Sequence, residues 1–175
     1  MIKSRRGLIA AIITLAGLTL AGVMFFAGRQ PSSQLYKELA AQVTLVLEQS
    51  SLDEHHAHGH EFDSRVVCAV ETFGTEPPNA TSVVEVKWVY ARHMCAVTGA
   101  GTDWATSVRA SGPIAVRIGI PPVIRVPEPG MGYPDRVRRL IPARYQEQAF
   151  AEFDDEDAID AARQRFTEIK KAQVK

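Results

Sequence analysis

Val66-Val67-Cys68-Ala69-Val70-Glu71-Thr72-Phe73 and Val83-Val84-Glu85-Val86-Lys87-Trp88-Val89-Tyr90 decide the fold. Both runs are rich in Val and aromatics, which fit a pleated, half-buried surface. Between them, Gly74-Thr75-Glu76-Pro77-Pro78-Asn79-Ala80-Thr81-Ser82 carries turn chemistry throughout. The two runs are therefore predicted to be antiparallel strands, Val66–Phe73 and Val83–Val97. On the second, Val84, Val86, Trp88 and Tyr90 share one face opposite Glu85 and Lys87, and the pattern shifts after Tyr90.

Each strand holds one of the chain's 2 cysteines, Cys68 and Cys95. An exported chain meets oxidising conditions, so a disulfide is expected, closing a loop that stabilises by about 3 kcal/mol on the chain-entropy model. A turn centred near Pro78 leaves Cys95 past Cys68 in register. Either a bulge near Tyr90 corrects this, or the cysteines meet across a strand end. His93, two residues before Cys95, raises the alternative of a catalytic thiol, but no third residue points to the constellation that chemistry needs.

Working outward, Trp104–Ala110 reads as a third strand and Ser111-Gly112-Pro113 as a break. Ile114, Val116, Ile118 and Ile120 then alternate with Ala115, Arg117 and Gly119, the signature of a half-buried strand. Pro121-Pro122 interrupts it, at an edge, bend or turn, and Val123–Val126 resumes. Two short helices are expected to meet at Ile141–Pro142, because a residue before proline avoids helical geometry. Before the sheet, residues 30–52 form an amphipathic helix with Leu35, Leu39, Val43, Val46 and Leu47 on one face. After it, residues 154–173 form a helix with Ile159, Ala162, Phe166 and Ile169 at helical spacing, capped by Asp154 or Asp155. Residues 65–150 are the α+β core. The fold class is α+β, with a helix, a twisted antiparallel sheet and C-terminal helices.

The N-terminus fixes topology. Lys3, Arg5 and Arg6 precede residues 7–28, which contain no charge. A helix of roughly 20 apolar residues crosses a hydrocarbon layer about 30 Å thick. Phe25 or Phe26 stands where a signal peptidase would want a small residue, so an uncleaved anchor is expected. The basic residues hold 1–6 in the cytoplasm and export the rest, giving a single-pass membrane protein with an extracytoplasmic domain. Of the 20 basic residues, 16 follow Arg29 together with all 20 acidic ones, so that domain carries about −4 and nucleic acid is not its partner. A basic run (Arg136, Arg138, Arg139, Arg144) and an acidic one (Glu152 to Asp160) read as solvated or loosely paired.

Residues 53–64 connect helix and sheet and hold His55, His56, His58 and His60 among carboxylates. Neutral imidazoles ligate zinc and copper, and a flexible tract of this kind binds them loosely. The H-e-x-x-h spacing of a zinc helix is absent, so the plainer reading is a solvated, His-rich connection without cofactor. Asn79-Ala80-Thr81 is a sequon of chance-level significance. No catalytic constellation is expected. Trp88, Tyr90 and Trp104 are expected to fill the core rather than a binding face.

Trp88-Val89-Tyr90-Ala91-Arg92, Ser111-Gly112-Pro113-Ile114-Ala115-Val116 and Tyr133-Pro134-Asp135-Arg136-Val137-Arg138-Arg139-Leu140-Ile141-Pro142 form a succession that resembles small exported or membrane-anchored actinobacterial proteins of unknown function. The likeness covers roughly residues 83–148 and implies an exported α+β domain with no transferable active site. The functional expectation is a tethered interaction module of the cell envelope with an envelope protein as partner, the alternative being a metal-binding envelope protein. Oligomeric state is left open.

Overall fold

The computed structural model describes residues 33–57, 65–98 and 103–173. Pro31–Lys175 forms a compact unit of its own. Among the described residues no helix is long and apolar enough to cross a membrane. The expected anchor, residues 7–28, lies outside them.

Helix α1 runs Ser33–Ala57, continuing beyond the expected end at 52 into the tract read as a connection. It buries Leu35, Leu39 and Val43, the predicted apolar stripe. Four strands follow in an antiparallel meander ordered β1-β2-β3-β4: β1 Val66–Glu76, β2 Trp88–Val97, β3 Val108–Arg117 and β4 Val123–Arg125. A short helix α2 (Trp104–Ser107) precedes β3, and α3 (Tyr133–Leu140), α4 (Gln146–Phe150) and α5 (Glu156–Gln173) complete the chain. The α+β architecture is as expected.

Side chains alternate across the sheet, so each face has its own core. Cys68, Val70, Val89, Ala91, Cys95, Ile114 and Val116 pack with the α1 stripe on one face. On the other, Val67, Ala69 and Ala96 meet Ala162 and Phe166 of α5, while Phe73, Tyr90 and Ala115 meet Val137, Ile141 and Ala149 from α3 to α4. Burial of a side chain such as Phe166 or Leu39 contributes about 1.5–3 kcal/mol.

Four local expectations are corrected. The second strand begins at Trp88 rather than Val83, because Val83–Glu85 is a 3₁₀ turn. Glu85 folds back to accept the Thr81 N–H at 2.7 Å, and Val84 is almost fully exposed, so the alternation read there was not a strand face. The bulge lies on β1 and not on β2: Thr72 pairs with Ala91 and Gly74 with Tyr90, leaving Phe73 as the extra residue. Trp104–Ser107 is a turn of helix, closed by reciprocal bonds between Asp103 and Thr106. Ser111-Gly112-Pro113 sits inside β3. Pro113 is tolerated because it pairs with Arg92 on one side while β4 reaches only residues 115 to 117 on the other.

The expected meeting of two short helices is present, with α3 ending at Leu140 and a 3₁₀ turn after Pro142 leading into α4. Asp155 caps α5 by accepting the Ala158 N–H at 2.9 Å. Trp104 packs edge-on against Phe166, and Tyr90 lies 5.6 Å from the Tyr145 ring, so both fill the core. Trp88 is half-buried under the Arg125 guanidinium.

Candidate functional site

Cys68 and Cys95 face each other in register and form a disulfide, S–S 2.04 Å, in the centre of the α1-side core. The eleven-residue link implied by a later second strand, together with the Phe73 bulge, supplies the register that a turn at Pro78 did not. With Cys95 bonded, the thiol alternative has no nucleophile. His93 is buried, and its Nδ1 lies 2.9 Å from the Gly112 carbonyl. A carbonyl only accepts, so Nδ1 carries the proton. Burial pushes the imidazole pKa down, against a smaller upward effect of that hydrogen bond. His93 lines a pocket with Ser111, Pro127, Pro129 and Tyr133.

His55 and His56 lie in the last turn of α1, and His58 and His60 fall outside the described residues. Among the described residues no group of three or more His, Cys, Asp or Glu is placed to hold a metal. The basic run is used internally: Arg136 donates to the carbonyls of Glu128, Pro129, Gly130 and Met131, tying the loop before α3 into a ring around one guanidinium.

A groove lies beside β1, one of the two outer strands of the sheet. An edge strand presents every second residue's N–H and C=O outward, where they need partners or water. Cys68 and Thr75 show how this chain treats them. Cys68 N–H donates to Glu48 Oε1 of α1 at 2.9 Å, and Arg165 Nη2 of α5 donates to the Cys68 carbonyl at 2.8 Å. Glu48 and Arg165 are themselves paired at 3.1 Å, so one ion pair stands where a neighbouring strand would be. At the other end the Tyr145 hydroxyl donates to the Thr75 carbonyl at 3.0 Å.

Val70 and Thr72, between those clips, point their main-chain groups outward by the same alternation, since Glu71 occupies the position bonded to Arg92. They face a groove of about 490 Å³ walled by α1 (Tyr36, Ala40, Thr44) and α5 (Ala158, Ala161). Thr72 is about nine-tenths buried, and its Oγ1 has no hydrogen-bond partner among the described residues. Such a group costs about 1–3 kcal/mol if left unsatisfied.

The groove continues into a shallow acidic cleft lined by Glu71, Asp154, Asp155, Glu156 and Asp157. Glu71 is fixed there: it takes Arg92 at 2.7 Å through one oxygen and the Asp154 N–H at 2.9 Å through the other. Arg92 also donates to the Gln148 carbonyl at 3.1 Å, so a buried ion pair holds the 148–154 segment against the sheet. Sequence reading assigned no role to Thr72 beyond its place in a strand, and none to the Glu48–Arg165 pair. Nothing in local pattern marks them, because their roles depend on contacts between distant segments. No protein-family model, curated protein or solved structure matches this chain.

Proposed function

We propose that this chain is a membrane-tethered binding module of the cell envelope, anchored by residues 7–28 and working through the groove beside β1. The observation that carries the reading is the treatment of the β1 edge. Its outer positions are closed by side chains at Cys68 and Thr75, whereas Val70 and Thr72 face open space between two helices. A groove of this volume is within the range that takes ligands. Binding is favoured over catalysis because the described lining joins main-chain groups and alanines to Tyr36, Lys37, Thr44, Arg165 and carboxylates without a histidine, and its Cys68 is held in a disulfide.

Two experiments test this reading. Carbonate washing of native membranes should leave the full-length chain in the pellet; release of a form beginning near Arg29 defeats the tether. A photo-crosslinking residue placed at Ala161 in the groove wall should capture an envelope component in intact cells, and one at the exposed Val84 should not. Equal capture at both positions, or none at Ala161, defeats the groove as the working surface.

A further inference from the structure

We infer that the occupant of the groove is an extended, basic polypeptide segment that adds to β1 as a fifth strand. The inference rests on the binding-module reading and specifies its ligand.

Three observations converge. The first is the unfinished hydrogen bonding of β1. The outward N–H and C=O of Cys68 are answered by the Glu48–Arg165 pair and the carbonyl of Thr75 by Tyr145, so side chains clip the edge at two points. Between the clips, Val70 and Thr72 offer N–H and C=O groups at strand spacing, the pattern an added strand matches. The two clips limit the paired segment to about four or five residues.

The second observation is the buried Thr72 hydroxyl, which lacks a partner among the described residues although Thr72 lines the groove. A polar group this buried is normally satisfied, and a strand laid along Val70–Thr72 brings main-chain donors and acceptors to its side. The third is charge. The groove itself is of mixed charge, with Lys37 and Arg165 beside Glu71, Asp155 and Asp157, but it shares those three carboxylates with the adjoining cleft of Glu71 and Asp154 to Asp157, whose lining is wholly acidic. Lys or Arg at one end of the segment is favoured there, and an acidic end is repelled. Small side chains, Ala40 on α1 with Ala158 and Ala161 on α5, leave room on both sides for the segment's alternating side chains.

The test uses the full chain in detergent micelles and four probes carrying fluorescein on the N-terminal amine. These are a Thr-Val-Thr-Val-Arg-Lys amide, the same peptide ending in Glu-Glu, and two versions of the basic peptide with main-chain nitrogens methylated in one or the other alternating register. Anisotropy should show the basic peptide binding at least tenfold more tightly than the acidic one, and N-methylation in one of the two alternating registers should weaken it at least tenfold. Hydrogen exchange at the Val70 and Thr72 amides should slow on binding, and Asp154→Asn with Asp157→Asn should reduce affinity several-fold.

Binding that is left unchanged by N-methylation in both registers shows charge attraction without strand addition and overturns the inference. So does equal binding, or no binding, of the acidic and basic peptides. If the two amides instead become protected with rising protein concentration alone, the occupant is a second copy of this chain, and the inference is likewise overturned. Failure in these assays alongside specific crosslinking at Ala161 removes the strand-adding peptide and leaves the binding module standing. Failure of the crosslinking removes the module itself.

Discussion

Gly74 and His93 show how single residues are fixed by neighbours remote in sequence. A β-carbon built on Gly74 would lie 2.7 Å from the Tyr145 ring, which is held in place by its hydroxyl bond to Thr75. Gly74→Ala must displace that ring and should lower stability by about 1–3 kcal/mol in urea unfolding. Tyr145→Phe, which removes only the hydroxyl, should cost about 1 kcal/mol. A loss in Gly74→Ala smaller than in Tyr145→Phe would contradict the packing argument. His93 predicts a pH dependence. Burial holds its folded pKa below the unfolded value of about 6.5, so the unfolded chain binds the proton more readily. Its contribution is complete above about pH 6.5 and is lost as the pH falls through the depressed folded value. Urea midpoints measured from about pH 7.5 down to pH 5 should fall more steeply for the native chain than for His93→Gln. None of this was legible beforehand: Gly74 read as a turn residue, and His93 drew notice only for its spacing from Cys95.

The elements divide by how much of their stability is local. α1 and α5 were readable because an apolar stripe at helical spacing marks the face that must be buried, and Leu39, Val43, Ala162 and Phe166 are buried accordingly. β2 was misjudged at its start because Val83-Val84-Glu85-Val86 alternates like a strand, while the Thr81–Glu85 hydrogen bonds favour a turn. At Trp104–Ser107, the Asp103–Thr106 capping box outweighed the β tendency of an aromatic and a threonine. β1 is the element on which the proposed function rests. The Glu48–Arg165 pair that closes it at Cys68 is partly solvated, with side chains 25 % and 41 % exposed, so its charge attraction alone is worth little. Its value lies in satisfying the strand. Glu48→Gln or Arg165→Met should each cost about 1–2 kcal/mol. A double-mutant cycle should give a coupling of about 0.5 kcal/mol or more, and strict additivity would show that the two residues act independently.

At the scale of the molecule, one sheet is held between α1 and the α3–α5 layer, with the Cys68–Cys95 bond tying β1 to β2. The bond closes a loop with a sequence separation of 27 residues, which the chain-entropy model values at roughly 3–4 kcal/mol. Reduction, or Cys68→Ala with Cys95→Ala, should lower the unfolding free energy by about that amount while the sheet's circular dichroism is retained at low temperature. A change below about 0.5 kcal/mol would show that the sheet is held by its two cores alone. The sequence alone determined the class: helical stripes at both ends, β-rich runs between them and a cysteine on each of two strands are consequences of local periodicity and composition. Tertiary structure decided the register, because the bulge at Phe73 and the length of the Pro77–Lys87 link set which residues of β1 and β2 face each other. It decided the groove for the same reason. Glu48, Thr72 and Arg165 lie far apart along the chain, and only the packing of α1 and α5 on opposite faces of the sheet brings them to one edge.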